Sequence, residues 1–468
     1  MNPLKFKKEA GLTKTLVNTM RVSTTNMTTG SPVRHMLIFA APLLIGNIFQ
    51  LIYNIADLMV IGRFLGVHAL AAIGSTNGLF FMITGFTAGS STGLTLITAQ
   101  RFGANDYEGV KRSVATSVII TIAITAIIMA ITIPFIPILL ILINTPAEIL
   151  YNAHLYLLVI TIGLIAASAF NYFPNLIRAL GDSRTPLLFL IIGMLSSIPV
   201  LLLCVVVLNL GVAGVAIAML FSWFATSVLC LIKIRKSLPI LKTERRHWRI
   251  QQRELIFHLK KSLPIALQTV FIATGAIILQ FAVNQMGAIA IAAHSTASRI
   301  QQIGLMPLFS IALAVGTFVA QNHGAGEHAR IRSGVKQMLF ITVVAGFAFA
   351  LVNIFGGPFI TNAIVGTSEI DVIRLTQQFL TLSGLSYFAL GILVVLRFTL
   401  QGMGRNTAPF LSGVAEFIAH IIVALVLIRF FGFLGAIWIS PIAWIGGSLP
   451  LIIAYGLYIR KMKAGKGV

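Results

Sequence analysis

Acidic residues are scarce in this chain. Its 468 residues hold 12 Asp and Glu against 34 Lys and Arg, and only 2 cysteines. Cys204 and Cys230 stand 26 apart, each inside an apolar run, a pattern that gives neither a disulfide framework nor a metal site. Polar stretches are also lacking. Charged residues make up 10% of the chain and hydrophobic ones 57%. A soluble domain has no way to hide that much apolar surface, so the composition is that of a polytopic membrane protein. Residues 1–26 carry no cleavable signal peptide. They are polar and basic, and Met27-Thr-Thr-Gly-Ser-Pro reads as a natural start, so 1–26 are set aside as an extension or an early start codon.

Apolar windows of membrane-spanning length run over 33–62, 69–99, 114–143, 150–177, 186–208, 211–234, 258–284, 288–320, 337–361, 371–398, 407–429 and 433–459. Each reaches the roughly 20 residues that a bilayer requires of a helix, which predicts twelve transmembrane helices. The net charge of +22 is distributed by topology. With the N-terminus inside, the inner segments hold 30 Lys and Arg and the outer loops three (Arg63, Arg374, Arg429), while Arg299 falls within a span. That asymmetry places both termini in the cytoplasm of a cell-membrane protein. The basic residues then face anionic lipid, and nucleic acid is not needed to explain them.

The only long polar stretch between spans is Lys236–Gln252, and the two sides of it match. Gln100…Gly103-Ala104 recurs as Gln321…Gly324-Ala325, Pro42 as Pro264, Gly181…Pro186 as Gly404…Pro409, and Gly211…Gly214 as Gly432…Gly435. The shift stays between 221 and 223 residues throughout. Six spans per copy is an even number, so the copies insert with the same orientation, as parallel repeats about an axis along the membrane normal. The expected organisation is an N-terminal segment (1–32), an N-lobe (33–235), a cytoplasmic linker (236–256), a C-lobe (257–462) and a tail (463–468). The fold class is all-α: twelve helices in two six-helix lobes. The Gly324-Ala-Gly326 loop lacks the preceding strand and the following Gly-Lys-Ser/Thr of a phosphate cradle.

The first apolar segment carries a carboxylate, Asp57. Asn47, Gln50, Asn54 and Asp57 follow i, i+3, i+7, i+10 spacing, which at 100° per residue confines them to a sector of roughly 80°. A charge at bilayer depth costs at least about 2.5–3.5 kcal/mol, so such a group faces a bundle interior or a cavity. Asp57 is read as a proton or cation site; the other reading is a structural acid bonded to a neighbouring helix. In the second half, Glu416 and His420 share a helical face. Arg299 is the nearest expected intramembrane cation for Glu416. Either a static Glu–Arg or Glu–His pair locks the helices there, or Glu416 belongs to a second ion or substrate site. Gln268, Gln280, Asn284 and His294 are further polar candidates, each also readable as an interhelical hydrogen bond. His323 and His328, with only Glu327 nearby, do not make a metal site. An enzyme would need convergent acids, and the two deep carboxylates lie on opposite halves.

The runs Pro42-Leu-Leu-Ile-Gly-Asn, Tyr53-Asn-Ile-Ala-Asp57 and Val60-Ile-Gly-Arg63 resemble the first helices of the multidrug and toxic compound extrusion (MATE) family. Ala292-Ala-His-Ser-Thr-Ala-Ser-Arg-Ile, Arg178-Ala-Leu-Gly-Asp-Ser-Arg-Thr-Pro186, Leu400-Gln-Gly-Met-Gly and Ser440-Pro-Ile-Ala-Trp444 extend the resemblance over nearly the whole chain after residue 27. It implies two six-helix lobes in a V shape, and export of amphipathic, often cationic compounds driven by entry of H⁺ or Na⁺, with no other cofactor. It also implies that Asp57 is the cation-coupling acid, and Tyr156 matches a family tyrosine that could bond near it, an interfacial or packing tyrosine being the other reading. Asn54 and Ser197 are grouped with that acid, and Asn47, Gln50, Tyr53, Arg299, Glu416 and His420 are the cavity candidates read from the residues themselves. The chain departs from the family pattern at Ser197 and Leu201, where many members have Asn and Asp, and at Met219, where a Thr is common. Ile272 stands where another branch carries an acid. Losing these oxygen ligands disfavours Na⁺ and points to H⁺. A monomer is expected. The alternative within the same superfamily is a lipid-linked precursor flippase, for which a basic cavity would be expected.

Overall fold

The computed structural model describes residues 25–249, 251–365 and 369–463. The expected extension before residue 25 and the tail after 463 lie outside these residues. The first half comprises α1 (Pro32–Gly103), α2 (Tyr107–Leu142), α3 (Ala147–Ile162), α4 (Leu164–Ala179), α5 (Arg184–Leu202) and α6 (Gly211–Ser237). The second comprises α7 (Gln252–Asn284), α8 (Ala288–Gly324), α9 (His328–Leu351), α10 (Gly357–Val365), α11 (Ile370–Leu385), α12 (Tyr387–Gly402), α13 (Thr407–Ile422), α14 (Ile428–Phe431), α15 (Phe433–Ile437) and α16 (Ile439–Lys463).

At about 1.5 Å per residue, the 72 residues of α1 would be some three times longer than a bilayer core of about 30 Å. The helix is broken at Gly66, whose φ of 79° is open to glycine at little cost, and so supplies two spans. α3 and α4 meet at a 51° bend at Gly163, and α11 and α12 at a 51° bend at Ser386. With each bent pair counted as one span and α1 as two, the described residues hold twelve helices or helix pairs of spanning length, six in each half.

The sequence repeat is written into the backbone. Left-handed residues occur in pairs at the same shift: Gly66 with Gly287, Asn105 with Gly326, Gly181 with Gly404, and Gly211 with Gly432. Both copies also widen into a π-turn at a corresponding place, Leu203–Val207 and Val423–Leu427, and the second copy has another at Val352–Gly356. Pro199 inside α5 accounts for a weakened ladder in the first copy, because a proline has no N–H to donate.

The halves meet chiefly through α1, which runs along α7 and α8. At the basic end their contact has two-fold character. Gln100 Nε2 donates to the Gly402 carbonyl (2.6 Å), and its repeat partner Gln321 Nε2 donates to the Ala179 carbonyl (2.9 Å). Gly103 lies against the Gln321 carbonyl, and Gly324 against that of Gln100, so closely that a Cβ on either glycine would collide with the facing oxygen. Gly103→Ala and Gly324→Ala are each expected to cost about 1–3 kcal/mol by overpacking, since backbone rather than a flexible side chain must yield. Thermal unfolding of the purified protein reads this out; an unchanged midpoint would mean that the helix ends part without cost.

The stretch between the halves is folded onto the first half. Leu238, Ile240 and Leu241 are buried in one cluster with Val110 and Tyr172. Glu108 receives bonds from Arg246 (3.2 Å) and His247 (3.0 Å), and Arg101 pairs with Glu254 (2.8 Å). Sequence polarity marked the linker but not its attachment.

Candidate functional site

Before Gly66, α1 carries the polar stripe, and its members face different neighbours. Asn47 Nδ2 reaches across to Ser310 Oγ on α8 (3.1 Å), at a cleft of about 300 Å³ between the halves. Gln50 is half-buried and Asn54 exposed. Tyr53 Oη and Ser197 Oγ are 2.8 Å apart, and Ser197, fully buried on α5, also donates to the Met194 carbonyl. Asp57 is half-buried one turn beyond Tyr53, and both Tyr53 and the buried Tyr156 of α3 lie within electrostatic reach of it. Among the described residues Asp57 has no hydrogen bond or ion pair. The cluster that holds Tyr156 is otherwise apolar: Leu201 is buried in it with Ile61, Ile160 and Val205, and Met219 packs against it. A structural acid held by a neighbouring helix would show such a bond.

A half-open cavity of about 590 Å³ is lined by α7, α8, α11, α12, α13 and α16 of the second half and, on one side, by α1 through Phe81 and Thr92. Here the expected partner of Glu416 is corrected. Arg299 is exposed, whereas Arg397 of α12 is buried and bonds Glu416 Oε1 and Ser412 Oγ (the latter at 2.8 Å). The sequence window that ended at 398 put Arg397 at the membrane edge, but α12 continues to Gly402 and carries the guanidinium inward. His420 touches Glu416 through the backbone: its Nδ1 lies 2.7 Å from the Glu416 carbonyl oxygen, not at the carboxylate.

Gln268 is 3% exposed and accepts from Gln401 Nε2 (3.0 Å). His294, also buried, meets Phe379 edge-on with ring centres 5.7 Å apart. Gln280 lines the cavity and donates to Asn284 Oδ1 (2.7 Å), but Asn284 is exposed at the end of α7 and lies outside it. Gln301 and Ser440 close another wall with a 2.9 Å bond. Arg397, Gln401 and Gln301 went unrecognised in the sequence. The available signal was the run Val394-Val-Leu-Arg-Phe-Thr-Leu-Gln401, an apolar helix that puts a cation and an amide four residues apart on one face.

The polar atoms thus fall into two groups, an unpartnered acid in the first half and a charge-balanced polar cavity in the second. The MatE family model matches residues 42–203 and again 264–426, once in each half. The chain is 26% identical to the "Probable multidrug resistance protein YoeA" of Bacillus subtilis, covering 92% of this chain and 94% of that one. It is 27% identical to the "Probable multidrug resistance protein NorM" of Thermotoga maritima, over 88% and 89% of the two chains. A crystal structure of MATE in the bent conformation shares the fold, with a TM-score of 0.85 at 19% identity, over 95% of this chain and all of that one.

Proposed function

The chain belongs to the MatE family, and from that premise we propose that it exports amphipathic cationic compounds in exchange for H⁺. It is a multi-pass membrane transporter of small molecules, not an enzyme. One observation carries the proton reading: Asp57 is a carboxyl in a spanning helix that no described side chain neutralises, whereas Glu416 is held by Arg397. A free carboxylate in a bundle can take either a proton or a cationic ligand, and mutual exclusion of the two is what antiport requires. In this reading Tyr53, Tyr156 and Ser197 frame the acid, and Asn54 lies on its approach. Sodium is less well supported, since Leu201 and Met219, in the apolar cluster that holds Tyr156, carry no side-chain oxygen.

The residues 33–235 and 257–462 act as the two lobes of an alternating-access carrier, with both termini cytoplasmic and the protein a monomer. Contact of the halves at the basic end through Gln100 and Gln321 supports an outward-open state. A flippase of lipid-linked precursors is less well supported, because the one deep guanidinium of the cavity is neutralised by Glu416. The test is accumulation of a fluorescent cationic dye in inverted vesicles under an imposed H⁺ or Na⁺ gradient. Uptake driven by H⁺ is expected; uptake driven by Na⁺ alone would overturn the proton assignment.

A further inference from the structure

Four polar atoms on side chains that line the second-half cavity are buried without a partner: Gln268 Nε2, Gln401 Oε1, Arg397 Nε and His294 Nδ1. Each belongs to a side chain at least nine-tenths buried. Unpaired buried groups of this kind cost about 1–3 kcal/mol each, and a bound molecule that bonds them recovers that cost. We infer that this cavity is a binding site for uncharged aromatic amides and lactams, distinct from the acid on α1.

The Gln268–Gln401 pair carries the argument. The bond between them uses one N–H and one carbonyl, which leaves one amide donor and one amide acceptor free. Exchanging O and N in both side chains at once preserves that count, so it does not depend on how either amide is turned. A carboxamide or lactam edge presents the matching acceptor and donor side by side. Arg397 Nε adds a second donor for the ligand carbonyl.

Charge argues in the same direction. Arg397 and Glu416 are mutually bonded, so the cavity has no unpaired carboxylate for a cation. A cationic ligand would have to draw Glu416 away and strand a buried guanidinium, which is strongly unfavourable. The remaining wall is aromatic, with Phe309, Phe379, Phe398 and Trp444, and the 590 Å³ volume suits a drug-sized ring system. The inference goes beyond the export reading, because binding here requires no gradient and no turnover.

The test is calorimetric titration of the purified full-length protein with 2-naphthamide and with a similarly sized naphthylmethyl-trimethylammonium ion. The amide is expected to bind, and to lose about tenfold in affinity in Gln401→Met. Gln268→Glu serves should the first variant not fold: it keeps the volume and the bond from Gln401 but removes the free donor, and the same loss is expected. The inference is overturned if the amide fails to bind, if both variants bind it as the parent does, or if the ammonium ion is the better ligand of this cavity and loses affinity in the same variants. Dye uptake in vesicles separates the two readings. Amide binding without dye transport would overturn the export reading alone, and dye transport without amide binding would overturn this inference alone.

Discussion

Asp57→Asn is expected to abolish proton-driven transport and leave the protein folded. The substitution is isosteric, and Asp57 makes no hydrogen bond or ion pair among the described residues, so no partner is left stranded. Indeed, removing an uncompensated charge from a spanning helix relieves a burial cost. The functional loss comes from linkage. If proton and cationic substrate exclude each other at one carboxyl, substrate affinity falls as the site protonates, and this coupling is the step that turns a gradient into export. Asparagine fixes the site in its neutral form. Substrate affinity should then be low and unchanged with pH, with the wild-type protein at low pH as its limit. Allosteric couplings of about 1–3 kcal/mol correspond to about 5–150-fold in affinity, which sets the size of the expected effect. Dye binding to the purified variant across pH, together with uptake in inverted vesicles, measures both arms. Surviving H⁺-driven uptake in the variant would move coupling away from Asp57.

That Asp57 is a candidate functional acid is legible in the sequence, which leaves a structural role open beside it, and the fate of the other acid is not. Asp57 stands in a stripe whose spacing alone declares a common face, and the apolar run around it leaves no local cation to pair with. For Glu416 the spacing offers Arg299 or His420 as a partner and passes over Arg397, which stands at the end of its apolar window. Four residues of helix, from Thr399 to Gly402, decide whether Arg397 is at the membrane edge or inside the bundle. Apolar windows do not resolve that length, since Phe398, Thr399, Leu400 and Gln401 read as well for a helix end as for its continuation. Sequence spacing could offer Arg299 to Glu416, but the helical phase of α8 turns Arg299 outward while burying Ala297 and Ile300 on either side.

The repeat was legible for a different reason. Most of its anchors are glycines and prolines, whose backbone demands are the same wherever they stand, and two of them, Gly181 with Gly404 and Gly211 with Gly432, prove to be left-handed pairs. What the anchors do not reveal is contact between the copies. Gly103 and Gly324 read as loop glycines that permit a helix stop, yet each is packed on the backbone of the opposite half. Close approach between segments 221 residues apart leaves no local signature beyond the small residue itself.

Arg397→Met is expected to be among the most damaging single substitutions in the second half. It removes the guanidinium from a carboxylate that is itself buried, at 6% exposure, and leaves Glu416 with an uncompensated charge. Breaking such a pair by deleting one partner costs about 3–5 kcal/mol, whereas replacing both partners by neutral groups of similar volume is often close to harmless. The double variant Arg397→Met with Glu416→Gln should therefore recover most of the stability lost in the single one, and that rescue distinguishes lost charge balance from lost packing. Thermal unfolding of the two purified variants beside the parent provides the comparison. A double variant no more stable than the single would mean that the methylenes of Arg397 and their contacts matter more than its charge. The same double variant bears on coupling, because it takes the second intramembrane carboxylate out of the protein altogether. With Asp57 untouched, dye uptake in vesicles should still follow the H⁺ gradient. Loss of that dependence in a folded double variant would transfer the proton site to Glu416, and the Arg397 pair would then be a gate on its protonation instead of a lock between α12 and α13.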